Sequence, residues 1–201
     1  MDINFENIEI KAKSFDNLFS DCRRIESLNI SNIDTSNVIS MDSIFCNCTS
    51  LKYIDISSFN TSKVMNMAGM FFNCTSLKEL DLSKLDTSRV VYMQLMFREC
   101  TSLEKLDLSG FNTISIEDMR FMFSGCKNLK ELDIFGFKLN VFGYTSKMFK
   151  NCTSLEVVRL PKDEYSSNKI IDRLNKDDVR YTRLIEGGED SEIGLKESKC
   201  G

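Results

Sequence analysis

The sequence predicts an α/β repeat solenoid, with a parallel sheet of short strands on a concave face and short helices on the convex side. Three observations carry this. Cys22, Cys48, Cys74, Cys100, Cys126 and Cys152 follow one another every 26 residues with no insertion or deletion, and self-similarity at such a period marks stacked supersecondary units. The segments "NCTSLKYIDISSFNTS" (47–62), "NCTSLKELDLSKLDTS" (73–88) and "ECTSLEKLDLSGFNTI" (99–114) spell nearly the same phrase. Within each repeat the apolar period then changes from that of a strand to that of a helix.

The repeat Leu77 to Ser102 shows each element in order. Leu77, Leu80, Leu82 and Leu85 stand in the LxxLxLxxL spacing of a leucine-rich repeat, which centres a short strand on the LxL, both leucines pointing inward. Val90, Met93, Met96, Phe97 and Cys100 then recur at three and four, one face of a helix, with Thr87 and Ser88 ahead of it as N-caps. The columns agree through the stack. Phe19, Phe45, Phe71, Phe97, Phe123 and Phe149 align, and the methionines run in phase with them, so the methionine stripe reads as core.

Domain organisation follows. Residues 1–161 form the solenoid, with an N-terminal cap over about 1–17 and repeats over about 18–161. Residues 162–185, with Ile170, Ile171 and Leu174 in a helix before a strand, form the C-terminal cap an open stack requires. The polar, glycine-rich residues 186–201 are expected to be disordered.

Leu80, Asp81, Leu82, Ser83, Asp86, Thr87, Ser88, Val90, Met93, Met96, Phe97 and Cys100, with their equivalents in neighbouring repeats, carry a specific resemblance. They resemble the BspA-like leucine-rich repeat proteins, in the 26-residue subgroup written "LdlsnFdTSnVtnMsxMFxxC" and found in bacterial surface proteins and mycoplasma lipoproteins. The match covers about residues 18–161. The resemblance implies a curved solenoid used for adhesion or protein binding, displayed at the cell surface as part of an exported parent, and no enzymatic activity.

Composition narrows function. The net charge of −4 and pI near 5.1 provide no basic footprint for nucleic acid. No apolar run reaches the roughly 20 residues that span a bilayer. The N-terminus lacks a basic-then-apolar secretory signal, and free cysteines suit a reducing compartment, so this stretch by itself reads as cytoplasmic. The chain contains no histidine, which removes Ser-His-Asp and Cys-His catalysis and the commonest metal ligand. The polar motifs recur with the period, as fold maintenance requires. Neither a metal nor a cofactor is expected. The function expected is a non-catalytic protein-binding module. The alternatives are a structural stalk of a larger surface protein and, from another class, a cysteine-based enzyme.

Two surfaces are candidates for the partner. In an LxL strand the middle residue faces outward. This column, Asn29, Asp55, Asp81, Asp107, Asp133 and Arg159, is either a ladder solvated by the serines two residues on or a site for a weakly bound cation or a partner with a basic surface. Tyr53, Phe135 and Arg159 break the repeat there and complete the first candidate. On the helical side, Met65, Val91, Tyr92, Leu95 and Phe121 form an apolar cluster off the core, an alternative interface.

Overall fold

The computed structural model describes residues 12–30, 33–141, 143–186 and 191–193. The chain coils in about six turns into a parallel-strand solenoid. Strands β1 (Ser27–Asn29), β2 (Tyr53–Asp55), β3 (Lys105–Asp107), β4 (Glu131–Asp133) and β5 (Val157–Arg159) are three residues long. In each strand only the middle residue is buried. Leu28 pairs with Ile54, and Leu106, Leu132 and Val158 align in turn, all strands parallel. This is the register the 26-residue spacing dictates.

The third turn departs from it. Residues 79–81, where the LxL motif predicts a strand, form none. The strand face is therefore two sheets, β1–β2 and a second that begins at β3.

The opposite side corrects the expectation of short helices. Its segments run as tight turns, with Ser43, Gly69, Leu95, Phe121 and Lys147 at φ between 55° and 65°. Asn47, Asn73, Glu99, Gly125 and Asn151 form a second left-handed column four residues on. Two left-handed residues per segment break the i→i−4 ladder of an α-helix. Alternate amides turn instead to the next coil. Met67, Gly69 and Phe71 each donate at 2.9 Å to Tyr92, Gln94 and Met96, and Asn73 donates to Arg98 at 2.8 Å. Amides between them bond three residues back, as Phe72 does to Gly69. The apolar residues at three and four still point inward, which is why the pattern mimics a helical face. Phe19, Phe45, Phe71, Phe97, Phe123 and Phe149 stack with centroids 5.5–5.9 Å apart. Packed helices need about 8–10 Å, more than this spacing allows.

Thr87 and Ser88 cap no helix. Thr61 Oγ1 instead accepts from the Asp86 amide at 2.8 Å and donates to its carbonyl at 2.9 Å. Thr35, Thr87 and Thr113 do the same to the next turn, so each corner is bound through one hydroxyl. The cysteine thiols donate to phenylalanine carbonyls one turn back, Cys100 to Phe71 at 3.1 Å, for example. Stacked thiols point the same way, and no disulfide joins the described cysteines. Cys46 is also buried, and Cys200 lies outside the described residues.

At the end of the stack, α1 (Glu164–Lys176) begins at Asp163, whose carboxylate accepts from the Ser166 amide. Ile170 and Leu174 seal the core. Asp177 accepts the Phe149 amide at 2.9 Å, closing the turn ladder. Strand β6 (Arg183–Glu186) continues the parallel sheet beside β5. The disorder expected for residues 186–201 is corrected for part of that range. Glu186 ends β6, and β7 (Ser191–Ile193) pairs antiparallel with it; residues 187–190 and 194–201 lie outside the described set. Of the expected N-terminal cap, residues 1–11 do too.

Candidate partner-binding face

The aspartate column is held by local geometry. Asp55, Asp81 and Asp107 each accept, through Oδ1, the amide of the serine two residues on, at 2.8–2.9 Å. Asp133 receives the Phe135 amide in the same way. The serine backbone supplies the first donor, and the Ser57 and Ser83 side chains add a second to Asp55 and Asp81. These amide bonds hold the Asp55 and Asp81 carboxyls below the usual range, because a bond to the charged form favours it. Asp133 is pushed up, chiefly by burial. Arg159, one turn further, approaches it at 3.8 Å.

Tyr53 stands 59% exposed, and Asp55, Asp81 and Asp107 are exposed beside it. Phe135 and Arg159 are half-buried. The structure therefore divides the predicted residues into two groups. Tyr53, Asp55, Asp81 and Asp107 surround an opening of about 820 Å³ over the third turn. Asp107, Asp133 and Arg159 lie at a second, smaller hollow of about 360 Å³ over β3–β6.

The opening follows from the missing strand. Among the described residues, no backbone hydrogen bond joins 78–82 to either neighbouring turn. Leu80, whose column-mates Ile54 and Leu106 are each 3% exposed, is only partly buried. The neighbouring contacts are intact. Thr75 Oγ1 bonds the Thr49 carbonyl and Thr101 Oγ1 the Thr75 carbonyl, and beyond the opening Thr61 and Thr87 hold the corners.

Leu80 is read from the repeat as core, and Lys78 and Glu79 are not singled out by it. Glu26 pairs with Lys52, Glu104 with Lys130 and Glu131 with Lys105 across adjacent turns. Among the described residues Lys78 and Glu79 form no ion pair, because their oppositely charged column neighbours Glu104 and Lys105 pair with the turn beyond.

On the turn-ladder side, Met65 and Tyr92 are each 43% exposed, while Val91, Leu95 and Phe121 are half-buried. The Phe121 ring lies between the Arg98 guanidinium at 5.4 Å and the Lys147 ammonium at 5.5 Å. Cations thus flank the Phe121 ring, one member of the apolar cluster expected there.

Among the described residues, no group of three or more Cys, Asp or Glu is placed to hold a metal ion. None of their helices is long and apolar enough to cross a membrane.

No curated protein matches the chain. The sequence pattern of one protein family matches it twice, over residues 13–131 and 73–172. The two matches share the repeats between 73 and 131, as a periodic solenoid allows, and together take in most of the molecule. The chain belongs to the family described as "Mycoplasma protein of unknown function, DUF285".

Proposed function

We propose that this chain is a non-catalytic protein-binding module of the BspA-like leucine-rich repeat type, and that its partner sits on the strand face. The observation that carries the reading is the opening over the third turn, rimmed by Tyr53, Asp55, Asp81 and Asp107 on a stack whose backbone is tied on every other side. Side chains ordered before association lose less entropy on binding. The acidic stripe selects for a partner with a basic surface and speeds encounter. The BspA-like resemblance supports adhesion, with the module carried by a surface-displayed parent. The absence of histidine supports the non-catalytic part.

The test is capture of host proteins on the immobilised chain at rising salt, with two variants beside it. Binding through the acidic stripe should weaken as exposed charges are screened over about 8–10 Å. Asp81→Asn/Asp107→Asn/Asp133→Asn should have the same effect while leaving the fold intact, because Asn29 occupies this column naturally. Retention of partners by the triple variant and their loss in Leu95→Glu would move the site to the turn-ladder side.

A further inference from the structure

We propose that the opening at the third turn is a docking window for an arginine-bearing, extended segment of a protein partner; this rests on the strand-face reading above. The window is an interruption of a sheet. Its five residues, 78–82, bond to neither neighbouring turn, and at about 3.3 Å per residue they span about 16 Å, the reach of a short extended segment. The corners on either side are fastened by threonine hydroxyls, so the gap is bounded. Its floor is Leu80, the one partly exposed member of the column Leu28–Leu184.

Charge selects the occupant. Glu104 and Lys105 are committed to Lys130 and Glu131. That leaves Asp55, Glu79, Asp81 and Asp107 with Lys78, and Lys84 near Asp81, as the remaining cations, still a surplus of acceptors. Each aspartate of the column binds an amide through Oδ1, and a carboxylate has further lone pairs to accept a partner's donors. The third turn adds main-chain carbonyls that no neighbouring strand uses. A guanidinium, all donors in a planar fork, fits such a set better than the compact ammonium of lysine. Its apolar stem can lie on Leu80, and Tyr53 at the rim offers a ring face to the cation. The molecule carries its own precedent: in this same column Arg159 lies 3.8 Å from Asp133, one turn on.

The test is methyl-detected NMR on the whole chain, titrated with the pentapeptide Ac-Gly-Arg-Gly-Arg-Gly-NH2, its lysine twin and its neutral citrulline twin. The arginine peptide should shift the Leu80 methyls. The citrulline twin should bind roughly tenfold more weakly or worse, the expected loss of a charge-assisted bond. The lysine twin should fall between. Asp81→Asn should weaken the arginine peptide several-fold, and Leu95→Glu should leave it unchanged. No Leu80 shift up to millimolar peptide, equal binding of the citrulline or lysine twin, or shifts centred on Leu95 would overturn the proposal. If the peptide fails while the triple aspartate variant still loses its captured partners, the window falls and the strand-face reading stands. Loss of those partners in Leu95→Glu alone would sink the reading itself.

Discussion

The two long faces of this solenoid obey the same 26-residue repeat and are tied together differently. On the turn-ladder face, bridges run unbroken from Ser14 through Ser40, Asn66, Tyr92 and Asp118 to Tyr144. On the strand face the ladder stops at the third turn and resumes at β3. The turn-ladder face has three independent ties per turn: alternate amides, a stacked phenylalanine ring and a thiol on a carbonyl. The strand face relies on three residues of backbone and on charge pairs exposed to water, which contribute little. Order in the stack is held by the first face, and the second is free to open locally.

Hydrogen exchange offers the widest separation between the faces. The amides of Met93, Leu95 and Phe97, which donate to Asp118, Arg120 and Met122, should exchange at least about a thousandfold more slowly than those of Glu79, Leu80 and Asp81. Protection in a tied ladder approaches the global stability, and an unbonded strand has almost none. Equal protection at both sites would close the window and remove the comparison.

Core truncation should show the same asymmetry in energy. Phe97, stacked between Phe71 and Phe123 with no exposed surface, should cost about 3–5 kcal/mol when changed to alanine. Leu80→Ala, at a site already open, should cost roughly 1 kcal/mol, below the usual range for a buried leucine. Chemical denaturation of both variants checks this. A smaller effect is expected at the corner between the faces. Thr87→Val removes a hydroxyl that bonds both the amide and the carbonyl of Asn112 and should cost about 1–3 kcal/mol, through polar groups left unsatisfied.

A further effect is in pH. Burial pushes the Cys48 and Cys152 thiols up to about 12 from an ordinary value of 9.0. Cys100 and Cys126 are raised for the same cause. A raised value means the folded state holds its proton longer. The stability linked to these thiols is whole below pH 9 and is lost as pH climbs through 12, since only the unfolded chain ionises readily in that range. Thermal unfolding between pH 7 and 10 should therefore be level and then decline. Cys48→Ala should flatten the decline, and an unchanged slope would remove the thiols as its cause.

Much of this was legible in the sequence, for a physical reason. The column positions of Phe97, Cys100, Leu106 and Thr87 follow from the period alone, because a stack repeats its contacts. The helix was misread because Val90, Met93, Met96 and Phe97 report only which side chains are inward. Residues at three and four point inward equally from an α-helix and from turns with left-handed residues. A signal was available in the left-handed columns, where Asn47, Asn73, Asn151, Gly69 and Gly125 recur, residue types that favour positive φ. Leu95, Glu99 and Phe121 occupy the same columns and disguise it. On the candidate site, the aspartate stripe was visible and the opening was not. Asp81 looks like Asp107 in the repeat, and Lys78 and Glu79 have oppositely charged column neighbours in Glu104 and Lys105, so the sequence does not set this turn apart.

The turn ladder also bears on how this molecule would carry a pulling force. Ties between coils run along the stack axis, so tension applied between its two ends passes through every interface in series and breaks them one at a time rather than in a single event. Each coil that peels away pays out its 26 residues, roughly 90 Å of extended chain at about 3.3–3.6 Å per residue. The coils left behind keep their own phenylalanine contacts and corner bonds. A stack built this way yields in increments and rewinds from whatever coils remain.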